Sequence, residues 1–266
     1  MLNLVVCIKA VPDPEKADRI KINPATKNLI RRDIPMVLNP LDRFALEAAL
    51  TLKEEKGAHI TVISMGPPEA AAIVKECMAL GADKGILLSD KAFGGADAFA
   101  TAYTLAAGIK QTKEVDAVFC GMASSDGATE WVGPQIATFL NIPVVTMVKE
   151  IEEKDDLIWT VKADFDNGYR RVRVELPAVF TVTRDLNQPR TLSFSGIIKA
   201  RKKQVDILDL EKLGTDPKKV GVKGSPTIVS HMEVTSNKRE TTMIEGTRDE
   251  KADTMVKILK DSGKLG

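Results

Sequence analysis

The residues with the greatest capacity for chemistry form one loop, residues 121–129, in which hydroxyl side chains stand among small residues. Two serines and Thr129 offer hydroxyl groups, and Gly127 permits positive φ. The loop precedes a predicted helix, whose first amide groups have no acceptor within the helix and therefore attract phosphate. The loop thus suits a phosphorylated ligand. A tight turn at Asp126-Gly127 with Thr129 as a helix cap explains the same residues equally well.

Two more loops of small residues follow predicted strands. Lys9-Ala10-Val11-Pro12 follows an apolar strand over residues 4–8, and Met65-Gly66-Pro67 follows a second one over residues 60–64. Small residues allow a ligand to approach the backbone closely. Together with the serine-containing loop they outline a crevice for a nucleotide. Asn39, which stands before a predicted helix, suits both a ligand contact and a helix cap.

A second possible phosphate cradle is Gly94-Gly95-Ala96-Asp97, which precedes an alanine-rich segment with helical periodicity. The glycines permit close approach, and the start of the helix behind them favours an anion. A plain loop in which Asp97 caps the helix accounts for the same residues.

Classical enzyme chemistry finds little support in the sequence. The two histidines, His59 and His231, stand far from any candidate nucleophile or ligand cluster, so neither a catalytic triad nor a zinc site is indicated. No G-x-x-x-x-G-K-[ST] loop is present, and no G-x-G-x-x-G follows a strand. The three cysteines lack metal or disulfide spacing and are expected in the core. We therefore assign no catalytic side chain and no metal ligand.

The composition limits the possible partners and compartments. The 266 residues contain 38 Lys and Arg against 37 Asp and Glu, so no global field favours nucleic acid or an anionic membrane. The basic run 199–203 lacks interleaved aromatic residues and suits a solvated face or a protein contact better than nucleic acid. No apolar run approaches the ~20 residues that span a bilayer, and the start lacks the features of a secretory signal. A cytoplasmic protein is expected.

The elements that must position these loops alternate between strand and helix. Apolar strands are predicted at 4–8, 60–64, 85–89 and 115–120, and helices over 40–56, 69–80, up to about 110, and through Ile136 and Leu140. A hairpin-like excursion is expected over residues 19–38. This alternation predicts an α/β fold with a mainly parallel sheet covered on both faces, and ligands bind at the carboxyl ends of such strands.

The pattern changes after residue 143. Four strands without intervening helices, at roughly 144–151, 156–164, 169–176 and 178–183, are expected as antiparallel additions. Beyond Arg184 the chain has weak periodicity, apart from a short amphipathic segment near residues 254–259, and cannot hold a core of its own. The sequence therefore predicts an α/β domain over residues 1–184 and an extended C-terminal arm over residues 185–266 that wraps a partner.

Several dispersed segments, taken in order, resemble the beta subunit of electron transfer flavoproteins over most of residues 1–203. The matching segments are Val5-Val6-Cys7-Ile8-Lys9-Ala10-Val11-Pro12-Asp13, Asn39-Pro40-Leu41-Asp42, Met65-Gly66-Pro67, Leu80-Gly81-Ala82-Asp83, Ser125-Asp126-Gly127, Val132-Gly133-Pro134, Asn187-Gln188-Pro189-Arg190 and Ile197-Ile198-Lys199-Ala200-Arg201-Lys202-Lys203. The resemblance implies a pseudo-Rossmann, adenine-nucleotide-hydrolase-like domain and a C-terminal arm that embraces an FAD-carrying alpha subunit.

The same resemblance implies the residues of the crevice, which holds AMP in simple carriers of the family and a second FAD in electron-bifurcating members. The implied contacts are Ala10, Asn39, Met65, Gly66, Gly121, Ser125, Asp126, Gly127, Thr129, Glu130, Trp131 and Val132. Phe194 and Ile197, in a loop over residues 190–200, occupy the place of the contact with an acyl-CoA-dehydrogenase-type partner. An ordinary buried phenylalanine is the alternative for Phe194.

Two segments resemble the bifurcating branch, Gly66-Pro67-Pro68 and Ala92-Phe93-Gly94-Gly95-Ala96-Asp97, and this makes Gly94, Gly95 and Asp97 possible NAD contacts. One departure from the family pattern stands against the resemblance to the bifurcating branch. Family members usually carry a basic residue after the glycine at position 121, whereas Met122-Ala123 stands here, and Ala128-Thr129-Glu130-Trp131 also departs from the family pattern.

The activity expected from the resemblance is electron bifurcation. FAD in the crevice would take a hydride from NADH, one electron would pass to a low-potential acceptor such as ferredoxin, and the other would pass through the alpha-subunit FAD to an acyl-CoA dehydrogenase-type enzyme. Two alternatives stay open: a simple carrier with AMP in the crevice, and a stand-alone nucleotide-binding module of the stress-protein type.

Overall fold

The structure is a computed structural model that describes residues 1–19, 21–22, 29–30, 34–112, 114–155, 157–230 and 241–264. It divides into two compact units, Met1–Met232 and Glu233–Gly266. The strands are β1 (Leu2–Cys7), β2 (Ala10–Pro12), β3 (Lys21–Ile22), β4 (Leu29–Ile30), β5 (Met36–Leu38), β6 (Ala58–Met65), β7 (Lys84–Leu88), β8 (Ala117–Gly121), β9 (Val144–Lys154), β10 (Ile158–Phe165), β11 (Gly168–Glu175), β12 (Ala178–Val182) and β13 (Val205–Leu208). The helices are α1 (Pro40–Lys56), α2 (Ala71–Leu80), α3 (Ala98–Lys110), α4 (Val132–Leu140), α5 (Phe194–Arg201), α6 (Leu210–Leu213), α7 (Gly221–Gly224) and α8 (Arg248–Asp261).

A nine-stranded sheet organises the first unit, in the order β11-β10-β9-β12-β8-β1-β6-β7-β13. The parallel strands are, in spatial order, β9, β12, β8, β1, β6, β7 and β13. At one end of the sheet β10 and β11 are antiparallel additions. The chain runs from β1 outward to β6 and β7 and then returns to β8 on the other side of β1. The strand order therefore reverses between β1 and β8, and α/β sheets place ligands outside the carboxyl ends of strands at such a point.

Both faces of the sheet are covered, as the alternation of strands and helices predicts. Alternate residues of β1 enter opposite cores: Leu4 and Val6, with Ile8 just after the strand, pack with α1 and α2, whereas Val5 and Cys7 pack with α3 and α4. The first core also contains the stacked aromatic rings of Phe119, Phe180 and Trp159, all fully buried. All three cysteines are buried and free, which confirms the expectation that they are core residues.

The expectation that the strands after residue 143 are all antiparallel additions is wrong for β12. This strand lies between β8 and β9 and is parallel to both. The β10–β11 hairpin connects β9 to β12 and takes the place of the crossover helix that usually joins parallel neighbours. β9 is irregular at Met147, whose φ is 58°, and Val148 pairs with both β12 and β10.

The predicted excursion over residues 19–38 contains an antiparallel pair, β3 with β4, as a hairpin requires. Its predicted turn at Asn23-Pro24 lies outside the described residues. A further antiparallel pair, β2 with β5, connects the chain after β1 to the chain before α1.

The chain after Arg184 differs from the expected extended arm, because residues up to Met232 belong to the first unit. β13 adds an edge strand beside β7, and α5 packs on α2. Arg190 explains much of this docking, since its guanidinium donates to both carboxylate oxygens of Glu47 and also reaches Glu54 on α1. Weak periodicity hid these elements because each buries at most one apolar side chain: Ala200 on α5, Leu213 on α6 and none on β13.

In the second unit the segment predicted near residues 254–259 is the helix α8. A capping box between Thr247 and Glu250 starts it, and none of its residues is buried. Across the described parts of both units, no helix combines the length and the apolar character that crossing a membrane would demand.

Candidate functional site

Asn39 holds the serine-containing loop in place at the point where the strand order reverses. Its side chain is 1% exposed, its Nδ2 donates to the Ala123 carbonyl at 2.9 Å, and its Oδ1 accepts from the Ser125 amide at 3.1 Å. Asn39 occupies the N-cap position of α1, as predicted, but its side chain makes no cap hydrogen bond to the helix. Asn39 therefore acts on the crevice by fixing the backbone of the loop.

Lys9 connects the end of β1 to the same loop. Its Nζ lies 2.6 Å from Asp126 Oδ1 and 3.4 Å from Ser124 Oγ. Burial by itself would raise the pKa of the Asp126 carboxyl, but the hydrogen bond and charge of Lys9 outweigh it and hold that pKa below its ordinary value. Lys9 therefore offsets the negative charge of Asp126 within the loop.

Asp42 joins the chain after β1 to the chain after β8 from the first turn of α1. Its Oδ2 accepts from the Lys9 amide at 2.8 Å, and its Oδ1 accepts from the Gly121 amide at 3.2 Å. Burial raises the pKa of this carboxyl to about 7, although these hydrogen bonds, one from Asn39 and the charge of Lys9 oppose the shift. Gly121 must lack a side chain here, because a Cβ would overlap Asp42 Oδ1 and lie 2.7 Å from the Leu41 carbonyl carbon.

The loop turns at other residues than the sequence indicates. Gly127 does not adopt positive φ, because the Ala128 amide donates to the Ser124 carbonyl at 2.8 Å and closes a helical turn that includes it. Positive φ occurs instead at Ala128, 44°, and Glu130, 60°. Left-handed backbone is unfavourable for such residues and is found at functional sites more often than elsewhere.

Beyond this turn the loop is open to solvent up to α4. Trp131 is 64% exposed, and α4 begins at Val132 without a side-chain cap, so Thr129 does not cap it. The first turn leaves the amides of Val132 and Gly133 without an acceptor within the helix. These amides and the exposed Thr129 hydroxyl are donors at the same edge of the sheet.

Two more of the predicted contacts lie at neighbouring strand ends. Met65 ends β6, which is the neighbour of β1, and the Gly66 amide donates to the Leu88 carbonyl at 3.0 Å. Ala10 pairs with Leu38 beside Asn39. The structure thus brings the ends of β8, β1 and β6 to one edge, as the three loops predict.

The predicted NAD contacts, Gly94, Gly95 and Asp97, follow β7. Asp97 is already hydrogen-bonded to other residues of the chain. Asp97 caps α3 through its Oδ1, which accepts from the Ala100 amide at 3.0 Å. Its Oδ2 accepts from the amide and the hydroxyl of Thr227, at 3.0 and 2.7 Å. Gly94 and Gly95 are exposed, with Val222 beside Gly95. The cap alternative is therefore confirmed for Asp97.

Asp97→Ala is expected to destabilise the first unit by about 1 to 2 kcal/mol, because it removes a helix cap and the bonds to Thr227. Asp97→Asn is the matched control: its one oxygen can still cap α3, while its amide nitrogen faces the Thr227 amide, so it should lose less stability than Asp97→Ala. The free energy of unfolding in urea measures both. Equal losses in the two variants would show that the cap is not the source of the effect.

Phe194 and Ile197 lie on α5 rather than in a loop, and Phe194 is 79% exposed, so the buried alternative is wrong. Ser193 caps the helix by accepting from the Gly196 amide at 3.0 Å. A Cβ at Gly196 would overlap the Ala79 carbonyl oxygen, so the backbone of α5 lies directly on α2. Phe194 is therefore an exposed apolar side chain on a firmly placed helix.

Sequence reasoning placed Lys9 and Ser124 in the crevice loops without naming either as an individual contact, and it gave Asp42 no role in the crevice. Lys9 carried a usable signal, because a cation directly after an apolar strand stands at a carboxyl edge. Asp42 carried none, since an acidic residue in the first helical turn is ordinary.

Comparisons with known proteins agree with this geometry. Residues 26–213 match the Electron transfer flavoprotein domain family. The chain is 43% identical over 262 residues to the Caffeyl-CoA reductase-Etf complex subunit CarD of Acetobacterium woodii, with 98% of each chain covered. It is 43% identical over 260 residues to the Electron transfer flavoprotein subunit beta of Clostridium acetobutylicum, again with 98% of each covered.

A third relative, the Acryloyl-CoA reductase electron transfer subunit gamma of Anaerotignum propionicum, is 37% identical over 262 residues, which are 96% of this chain and 97% of the relative. The match to the family extends over most of the chain, and these relatives match nearly all of it. The chain therefore belongs to the electron transfer flavoprotein family, among its beta subunits.

Proposed function

We propose that this chain binds FAD in the crevice between the ends of β1 and β8, receives a hydride there from NADH, and divides the two electrons. One passes to a low-potential acceptor such as ferredoxin, and the other passes through the FAD of an alpha subunit to an acyl-CoA dehydrogenase-type enzyme. The observation that carries the proposal is the loop over residues 121–131, fixed by Asn39 and Lys9 at the reversal of strand order.

The residues present fit the adenosine diphosphate portion of FAD. Phosphate groups bind amide and hydroxyl donors, and the first turn of α4 and Thr129 supply such donors. The loop holds two acids: Asp126 is paired with Lys9, and the side chain of Glu130 is exposed to solvent. Small residues at positions 10, 66 and 121 leave the backbone accessible at the three strand ends.

When bound, FAD would supply the exchange of a hydride and of single electrons, which no side chain of the chain provides. The chain contributes position and electrostatics. Asn39 fixes the loop backbone, Lys9 pairs with Asp126, and the exposed Trp131 would cover a bound ligand and exclude water.

NADH would approach through the exposed glycines after β7. Gly94 and Gly95 are open to solvent and follow the neighbour of β6. Asp97 supports this loop through its cap of α3 and its bonds to Thr227. We therefore propose the two glycines as contacts and Asp97 as their support.

The names of two relatives favour an acyl-CoA reductase or dehydrogenase as the electron acceptor, because both are subunits of such complexes. The exposed Phe194 and Ile197 on α5 are the proposed contact with that enzyme. The chain after Arg184 is the segment proposed to wrap the alpha subunit. Within it, α8 buries none of its residues and exposes three apolar side chains that the alpha subunit could cover: Met255, Val256 and Ile258.

The test is to purify the chain with its alpha subunit and acyl-CoA partner and to follow NADH oxidation. We expect oxidation to require both the unsaturated acyl-CoA and ferredoxin, with equal numbers of electrons in the two products. Oxidation that proceeds equally well without the low-potential acceptor would contradict bifurcation. A simple carrier would retain AMP, and a chain that is stable alone without flavin would indicate the stress-type module.

A further inference from the structure

The chains that follow β1 and β8 separate at the floor of the crevice, and one carboxylate bridges them there. The ladder between the two strands ends at the pair Cys7 and Cys120. Immediately beyond it, Asp42 accepts from the amide of Lys9 with one oxygen and from the amide of Gly121 with the other. The side chain is 6% exposed and comes from a third element, α1.

We infer that Asp42 is a positioning residue whose ionised carboxylate sets the separation of the two loops for the nucleotide, so that protonation or neutral replacement weakens nucleotide binding. The inference rests on the proposed nucleotide function of the crevice. Asp42 is placed beneath the loops and acts on a ligand only through the backbone at positions 9 and 121.

The two groups that donate to Asp42, the amides of Lys9 and Gly121, require its ionised carboxylate. Both are N–H donors, and a carboxylate offers an acceptor at each oxygen. A carboxylic acid or an asparagine replaces one acceptor by a donor, which then faces an N–H group. One of the two bonds is lost, and the amide it leaves unpaired moves or takes up water.

The surroundings of Asp42 place its protonation in the neutral range. Burial raises its pKa to about 7 against the hydrogen bonds from Asn39, Lys9 and Gly121 and the charge of Lys9. The other titratable groups that face it are two buried thiols, Cys120 on β8 and Cys77 on α2. The charge of Lys9 opposes the shift.

The stability of the fold and the affinity for nucleotide should change in opposite directions with pH, and this distinguishes a positioning role from a merely stabilising one. A carboxyl whose pKa is raised in the folded state contributes most to stability at low pH, and that contribution falls as pH rises from about 4 to about 7. Ionised Asp42 therefore costs stability in the pH range in which it holds both amides. Nucleotide affinity should change in the opposite direction and increase as pH rises through 7.

The experiment uses the chain assembled with its alpha subunit and compares wild type, Asp42→Asn and Asp116→Asn by equilibrium dialysis against FAD at about pH 6 and about pH 8. FAD is a suitable probe because its phosphates lack the second ionisation near pH 6 of phosphate monoesters. Asp116 is the matched control, since its Oδ2 accepts from the Asn3 amide at 2.6 Å at the opposite end of the same strand pair.

At pH 8 Asp42→Asn should bind FAD about tenfold more weakly than the wild type, as expected for one lost bond to a charged group. At pH 6 the wild type should approach the variant, and Asp116→Asn should follow the wild type throughout. Equal affinity of wild type and Asp42→Asn at pH 8, or an equal ratio at both pH values, would overturn the inference. If the variant does not fold, a wild-type affinity that is unchanged between pH 6 and pH 8 would overturn it alone.

Hydrogen exchange at the amides of Lys9 and Gly121 tests the bridge without any ligand. Protection, corrected for the intrinsic rate, should be greater at pH 8 than at pH 6 in the wild type. Failure of the wild type to bind FAD would contradict the proposed function, whereas unchanged protection would contradict the role of Asp42, so the two failures are distinguishable.

Discussion

Gly121→Ala is expected to reduce FAD binding by about a hundredfold or more, the largest effect of any single substitution at the crevice. The added Cβ would overlap Asp42 Oδ1 and lie 2.7 Å from the Leu41 carbonyl carbon and 2.9 Å from the Asp42 nitrogen. Two of these three atoms belong to the backbone of α1, which cannot move without shifting the helix. The end of β8 must move instead, and the loop that follows it moves too.

The matched control for this substitution is Gly168→Ala, because a Cβ at that position meets nothing within 4 Å. FAD affinity by dialysis and the free energy of unfolding in urea measure both variants. Gly121→Ala should lose about 1 to 3 kcal/mol of stability in addition to its ligand, as overpacked sites do. Wild-type affinity in Gly121→Ala would contradict the placement of the crevice between β1 and β8.

Phe194→Ala is expected to slow electron transfer to the acyl-CoA dehydrogenase-type partner by about thirtyfold while leaving the flavin content intact. The side chain is 79% exposed on a helix that Ser193 caps and that lies directly on α2. An apolar side chain held in this way loses little conformational freedom on docking. Central interface residues of this kind contribute about 2 kcal/mol or more, which corresponds to the expected change.

The control for Phe194→Ala is Leu157→Ala, which removes another exposed apolar side chain, 67% exposed, beside β10 at the other end of the sheet from β13. Steady-state reduction of the partner enzyme at a limiting concentration of the heterodimer measures both variants. Equal rates in Phe194→Ala and Leu157→Ala would contradict the proposed docking surface on α5.

The sequence predicts the central part of the fold because its signals are local and strong. The buried apolar strand at residues 4–8 and the helix that starts at Pro40 and ends before Gly57 follow from apolar periodicity and helix-end residues. The order of these elements also predicts the carboxyl edge at which Met65 and Gly121 meet. The approximate place of the crevice can therefore be predicted from the sequence alone.

The remaining features depend on contacts between residues that are distant in the chain. β12 lies between β8 and β9, although it follows β11 after only two residues and no helix precedes it, a pattern that favours an antiparallel neighbour. Asn39 has the sequence context of a helix cap, yet its amide binds a loop more than 80 residues away. β13 has only four residues and one neighbour, β7, so its pattern is too short to predict.

The proposed site is tested most directly by extracting and identifying the nucleotides of the heterodimer purified from its native source or expressed with its alpha subunit. We predict a second FAD beside that of the alpha subunit, lost in Gly121→Ala and retained in Gly168→Ala. AMP in place of the second FAD, or a second FAD that survives Gly121→Ala, would contradict a flavin site between β1 and β8.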